Sequence, residues 1–121
     1  MKLVTAIVRP EKLDELIDAV LASNGRGLTV TEVRGFGRQF GERAAKAAGA
    51  DAPTGLPRDQ RAVLLTKIRL DILVPDEDAR AMVDSIAKHS RTGVIGDGKI
   101  WVSPVDSVLR VRTGEQDRDA V

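Results

Sequence analysis

An α+β fold, a split βαβ sandwich on 121 residues, is predicted by three observations. The order strand, proline, helix occurs twice, from Val4 to Val20 and from Leu70 to Ile86. Each helical segment carries apolar residues at i, i+3, i+4, i+7 and i+8, one stripe facing one way. And Ile68, Leu70, Ile72 and Val74 alternate with Lys67, Arg69 and Asp71, the period-two pattern of a half-buried strand.

In order along the chain, Leu3 to Val8 is apolar and β-rich, and Pro10 follows where a first helical turn accepts proline. Leu13, Leu16, Ile17, Val20 and Leu21 make the first helical stripe, and Gly25 stands where a left-handed cap is expected. Leu28 to Phe36, rich in Val and Thr, reads as a second strand ending in Gly35-Phe36-Gly37. The segment from Arg38 to Ala62 has no place in the plan. Ala44-Ala45-Lys46-Ala47-Ala48 favours helix, whereas Gly49, Pro53, Gly55 and Pro57 break any long one, so it reads as a mobile interaction arm. Ile68 to Val74 is the third strand. Pro75-Asp76-Glu77-Asp78 opens a second helix with Ala79, Met82, Val83, Ile86 and Ala87 as its stripe, its acidic start and Lys88 at its end both suiting the helix dipole. A short strand at Lys99 to Ser103 completes a ferredoxin-like unit. Val108 to Arg112 adds one more extended segment.

The length fits one domain, residues 1–121, and is too small to enclose a deep cleft without a second copy of the chain. With 19 Lys and Arg against 18 acidic residues, the net charge of +1 exerts no general pull on nucleic acid or membrane, so the basic groups matter by position. The absence of cysteine excludes disulfides and thiolate chemistry. The apolar run at the N-terminus is too short for a signal h-region and no stretch spans a bilayer, which predicts a cytoplasmic chain without membrane insertion.

The most informative stretch is Thr92-Gly93-Val94-Ile95-Gly96-Asp97-Gly98-Lys99-Ile100-Trp101-Val102. Glycines free backbone N–H groups to converge on an anion, a lysine supplies a mobile point charge, and Arg110 and Arg112 supply planar forks suited to phosphate oxygens. Gly93 to Lys99 matches G-x-x-x-x-G-K, yet Ile100 replaces the Ser/Thr that would hold magnesium and no helix pattern follows, so this is not a P-loop. Two apart on a predicted strand, Arg110 and Arg112 leave one face about 6–7 Å apart and suit a polyphosphate; the same spacing is that of a solvated face with Leu109 and Val111 turned inward. Gly96-Asp97-Gly98 is equally a tight connector by itself, but turn, Lys99 and arginine pair together favour an anion site. Lys67 and Asp71, on the polar face of the third strand, are further candidates beside the plain reading of solvated charge. His89, the one histidine, reads as a capping or surface residue. No cluster has transition-metal spacing, and no nucleophile and base pair stands out.

Three blocks resemble the PII nitrogen-signalling proteins: Met1 to Leu13, Gly27 to Gln39, and Arg91 to Glu115 with its Ser103-Pro104-Val105. The resemblance implies a homotrimer with ATP or ADP in the cleft between neighbouring subunits. It implies that Gly96, Gly98, Lys99, Arg110 and Arg112 hold the phosphates, that Ile7, Thr29, Gly35, Gly37 and Arg38 surround the nucleotide, and that Asp97 belongs to the same ligand site. Gln39 matches the residue that helps hold magnesium and 2-oxoglutarate beside ATP, and Lys67 the lysine that pairs with 2-oxoglutarate. The arm from 38 to 62 matches the family's T-loop, which reports ligand state to a transporter or enzyme. Here the sequence departs from the family pattern: there is no tyrosine to modify, no serine between Gly37 and Lys67, and the loop is longer and Ala- and Pro/Gly-rich. The expectation is therefore a non-enzymatic nucleotide sensor working without covalent modification of that loop. A small phosphate-processing enzyme would need a positioned base or metal carboxylate, and an RNA-binding sheet would need stacked aromatics beyond Phe36, Phe40 and Trp101.

Overall fold

The computed structural model describes residues 1–36 and 64–121. Strand β1 (Lys2–Val8) leads through a 3-10 turn at Pro10–Lys12 into helix α1 (Leu13–Ala22), then strand β2 (Thr29–Gly35). Strand β3 (Leu65–Val74), a second 3-10 turn at Asp76–Asp78, helix α2 (Ala79–Ser90) and strand β4 (Lys99–Pro104) repeat the order. The strands form one sheet in the order β2-β3-β1-β4 with antiparallel pairing throughout. This is the ferredoxin-like α+β sandwich expected from the repeated pattern.

The period-two residues explain which face the helices cover. Val4, Ala6 and Val8 of β1 and Ile68, Leu70, Ile72 and Val74 of β3 are buried against Leu16 and Val20 of α1 and Met82 and Ile86 of α2. Each fully buried aliphatic side chain contributes roughly 1.5–3 kcal/mol, so these residues supply most of the apolar driving force. Leu21, predicted on the α1 stripe, is 58% exposed. Register places the alternate residues on the opposite face: Leu3, Thr5 and Ile7; Thr29, Thr31, Val33 and Gly35; Lys67, Arg69 and Asp71; and Lys99 and Trp101. Neither α-helix lies on that open face; the C-terminal 3-10 turn Asp117–Ala120 borders its Thr29–Asp71 end.

Two local expectations are corrected. The left-handed residue after α1 is Asn24, at φ 64°, rather than Gly25. Gly25 instead donates its N–H to the Val20 carbonyl at 2.9 Å, closing a Schellman motif, and a Cβ there would lie 2.7 Å from that oxygen. Val108 to Arg112 is not a strand: the chain reverses at Gly114 (φ 73°), with a single bridge between Leu109 and Gln116. Arg110 N–H donates to the Glu115 carbonyl and Gly114 N–H to that of Arg110, so local hydrogen bonds replace a ladder. Pro10 begins the 3-10 turn, and the α-helix proper starts at Leu13.

Candidate functional site: a glycine loop at the rim of the open sheet

Helix α2 ends where Arg91 turns to extended backbone, and the chain must return within eight residues to pair Lys99 with Ile7 of β1. It does so through Gly93, Gly96 and Gly98, at φ 80°, 106° and 91°. Gly98 crosses the β1 backbone so closely that a Cβ would sit 1.7 Å from the Ile7 carbonyl oxygen. Only glycine meets both demands.

The loop is held from inside by Asp97. One carboxylate oxygen accepts the N–H groups of Thr92 (2.8 Å) and Gly93 (2.9 Å); the other accepts the Thr92 hydroxyl and Arg9 Nε (3.1 Å). The Thr92 hydroxyl foremost, with these other donors, holds the Asp97 carboxyl well below the usual carboxylate range in spite of its desolvation. Two cations grip the loop from outside: Arg9 Nη2 donates to the Ile95 carbonyl at 2.8 Å and Lys67 Nζ to the Gly96 carbonyl at 2.7 Å. Asp97, predicted to face the ligand, thus spends both oxygens on its own loop and on Arg9. Arg9 is the site residue that the sequence does not reveal, since nothing in the spacing says that an arginine closing β1 reaches a turn 88 positions on.

The predicted residues fall into two groups at opposite ends of the open face. Ile7, opposite Lys99 and Arg69, joins Gly96, Gly98 and Lys67 at one end, and Gly35 lies at the end of β2 beyond the Val33–Lys67 pair. A cleft of about 360 Å³ lined by Arg9, Glu11, Leu64 and Lys67 opens beside them. Thr29 pairs with Asp71 at the other end, and with Leu3, Arg110 and Ala120 they line a depression of about 450 Å³. Lys67 and Asp71 are four residues apart on β3, or roughly 13 Å. Asp71 accepts the Thr5 hydroxyl at 2.7 Å and Arg69 Nε at 2.8 Å. Burial opposes its ionisation, but these partners outweigh it and hold it below the ordinary aspartate value.

The arginine pair does not share a strand face as predicted. Arg110 folds back on Glu115, 2.5 Å away, and Arg112 lies in the exposed turn after Leu109. Among the described residues, the side chains of Lys99 and Arg112 have no hydrogen-bond or ion-pair partner. Gly37, Arg38 and Gln39, and with them the magnesium assignment and the arm from 38 to 62, lie outside the described residues. Among the described residues no His, Cys, Asp and Glu group could hold a metal ion, and no helix is long and apolar enough to cross a membrane. His89 donates Nδ1–H to the Ser85 carbonyl at 2.8 Å within α2, a local role as expected.

A ferredoxin-like sandwich with a cation-gripped glycine loop at the rim of its sheet carries donors of the kind that suit an anion. The family described as Nitrogen regulatory protein P-II matches residues 1–115. The chain is 47% identical over its whole length to Nitrogen regulatory protein P-II 2 of Methanothermobacter thermautotrophicus, covering 97% of that protein. It is 44% and 42% identical to the P-II proteins of Synechocystis sp. and Cereibacter sphaeroides, each over the full length of both chains. This chain belongs to the P-II family of nitrogen regulatory signal-transduction proteins.

Proposed function

We propose that the chain is a non-enzymatic sensor of ATP and ADP that acts as a homotrimer, with each nucleotide held between two copies. The observation that carries this reading is the separation of the candidate residues into two groups at opposite ends of one uncovered face. In the proposed cleft, Gly96, Gly98 and Lys99 of one copy meet Thr29, Arg110 and Arg112 of the next. Backbone N–H groups and Lys99 take the phosphates from one side, and the arginine forks take them from the other. Arg110 must then exchange Glu115 for phosphate.

In this reading, magnesium is held by the ATP phosphates and Gln39, and supplies the positive charge that lets a dicarboxylate lie beside a triphosphate. Lys67 pairs with 2-oxoglutarate in the cleft it shares with Arg9. One domain spans 1–121, and the arm from about 38 to 62 is its output element, biased by contacts that differ between ATP and ADP near Gly37 to Gln39. Its target is a membrane transporter or a metabolic enzyme, met from the cytoplasm. Lacking a tyrosine, the arm signals without the modification that residue carries.

Titration calorimetry with ATP, ADP and AMP, with and without 2-oxoglutarate and magnesium, tests the reading. Binding of ATP and ADP, a 2-oxoglutarate response confined to Mg-ATP, and no nucleotide turnover are expected. A 2-oxoglutarate response equal with ADP and ATP contradicts the effector assignment, and steady phosphate release makes the protein an enzyme.

A further inference from the structure

The rigidity of the peptide plane gives the contacts of Arg9 a consequence for the loop. In a trans peptide the C=O and the following N–H point in opposite directions. Arg9 draws the Ile95 carbonyl toward itself, so the Gly96 N–H is aimed away from the guanidinium. Lys67 holds the Gly96 carbonyl, so that negative dipole end is already engaged by a cation. Asp97 consumes the Thr92 and Gly93 N–H groups, which would otherwise compete. Among the described residues, the N–H groups of Gly96 and Gly98 have no hydrogen-bond acceptor.

We propose that Arg9 and Asp97 form a clamp that positions the glycine loop for phosphate, with Arg9 as a positioning residue that does not itself touch the nucleotide. The inference rests on the nucleotide reading above and adds two residues with a stated task. One guanidinium makes both bonds, Nε to Asp97 at 3.1 Å and Nη2 to Ile95 at 2.8 Å. The Arg9 side chain is only 14% exposed, so its geometry is fixed by packing as well as by its partners. A lysine could satisfy one of the two acceptors, but not both in one plane. Preorganisation of this kind strengthens binding by removing the cost of ordering the donors when the ligand arrives.

The test uses the full chain and the variants Arg9→Met, Arg9→Lys, Asp97→Asn and Arg9→Met/Asp97→Asn, with Arg112→Ala as an independent probe of the phosphate site. Calorimetry with ATP and ADP is paired with 15N–1H spectra of the nucleotide-free proteins. Arg9→Met should weaken both nucleotides by on the order of tenfold while its thermal midpoint stays close to the wild-type value. Its spectrum should differ at the Gly96 and Gly98 amides and match elsewhere in the sheet. The double variant should lose no more than the worse single one, because one clamp cannot be broken twice. Arg9→Lys should recover part of the loss, and it carries the test should Arg9→Met not fold.

Wild-type affinity in folded Arg9→Met, unchanged Gly96 and Gly98 amides, or losses that add in full in the double variant would each overturn the clamp. If Arg112→Ala loses binding in the same experiment, the nucleotide reading stands without it. Wild-type protein that binds neither nucleotide overturns that reading, and the clamp's purpose with it.

Discussion

Gly98 and Asp97 carry the chemistry of the loop at the scale of single residues. A Cβ at Gly98 has nowhere to go, since it meets the Ile7 carbonyl at 1.7 Å with φ at 91°. Gly98→Ala is expected to cost at least about 2 kcal/mol of stability in urea unfolding and to abolish nucleotide binding. A variant that melts and binds like the parent would show that the loop does not cross β1 there. Asp97 makes a pH prediction whose sign follows from its depressed pKa. Folded Asp97 holds its proton less readily than an unfolded aspartate of pKa about 3.9, so its stabilisation is full above that pH and declines as acid titrates the unfolded state. Asp97→Asn should therefore be less stable than the parent at neutral pH, with the gap narrowing between about pH 4 and pH 2. A gap that stays constant through that window would remove Asp97 from the acid response.

Turn chemistry decides two features at the scale of elements. Asn24 occupies the left-handed position after α1, a conformation that costs a residue with a Cβ roughly 1 kcal/mol and costs asparagine less. Asn24→Ala should lose about 1 kcal/mol in chemical denaturation, whereas Asn24→Gly should be near neutral. Equal losses in both would place the energy in the Asn24–Asp78 hydrogen bond instead. The same kind of local bonding defeats the expected strand at Val108 to Arg112. Gly114 at φ 73° and the paired bonds between Arg110 and its neighbours close a reverse turn before a ladder can start.

The open face governs the whole molecule. Light scattering should give a trimer, the state that lets the two ends of neighbouring faces meet; a monomer in the presence of nucleotide would count against the cleft. Lys67→Ala should weaken ATP even without 2-oxoglutarate, because Lys67 also holds the Gly96 carbonyl, while Gln39→Ala should affect only the magnesium and 2-oxoglutarate response. Identical behaviour of the two variants in calorimetry would mean that the Lys67 contact does not matter to the loop. Deleting Glu42 to Asp59 should preserve the trimer and most ADP affinity and end the regulation of the target. Loss of assembly on deletion would make the arm part of the scaffold.

The repeated strand–helix order, the two apolar stripes and the β3 alternation are legible in the sequence because they are periodic within single elements, and short-range sterics and solvent decide them. The glycine loop is legible for a similar reason: glycine is the residue that positive φ favours, and three stand within six positions from Gly93 to Gly98. What a chain position touches across the fold is another matter. That Asp97 turns inward, that Arg9 grips Ile95, and that Arg110 and Thr29 stand far from Lys67 on the same face were decided by strand register and the crossing of the loop over β1. These depend on long-range packing, which sets distances that local periodicity does not contain.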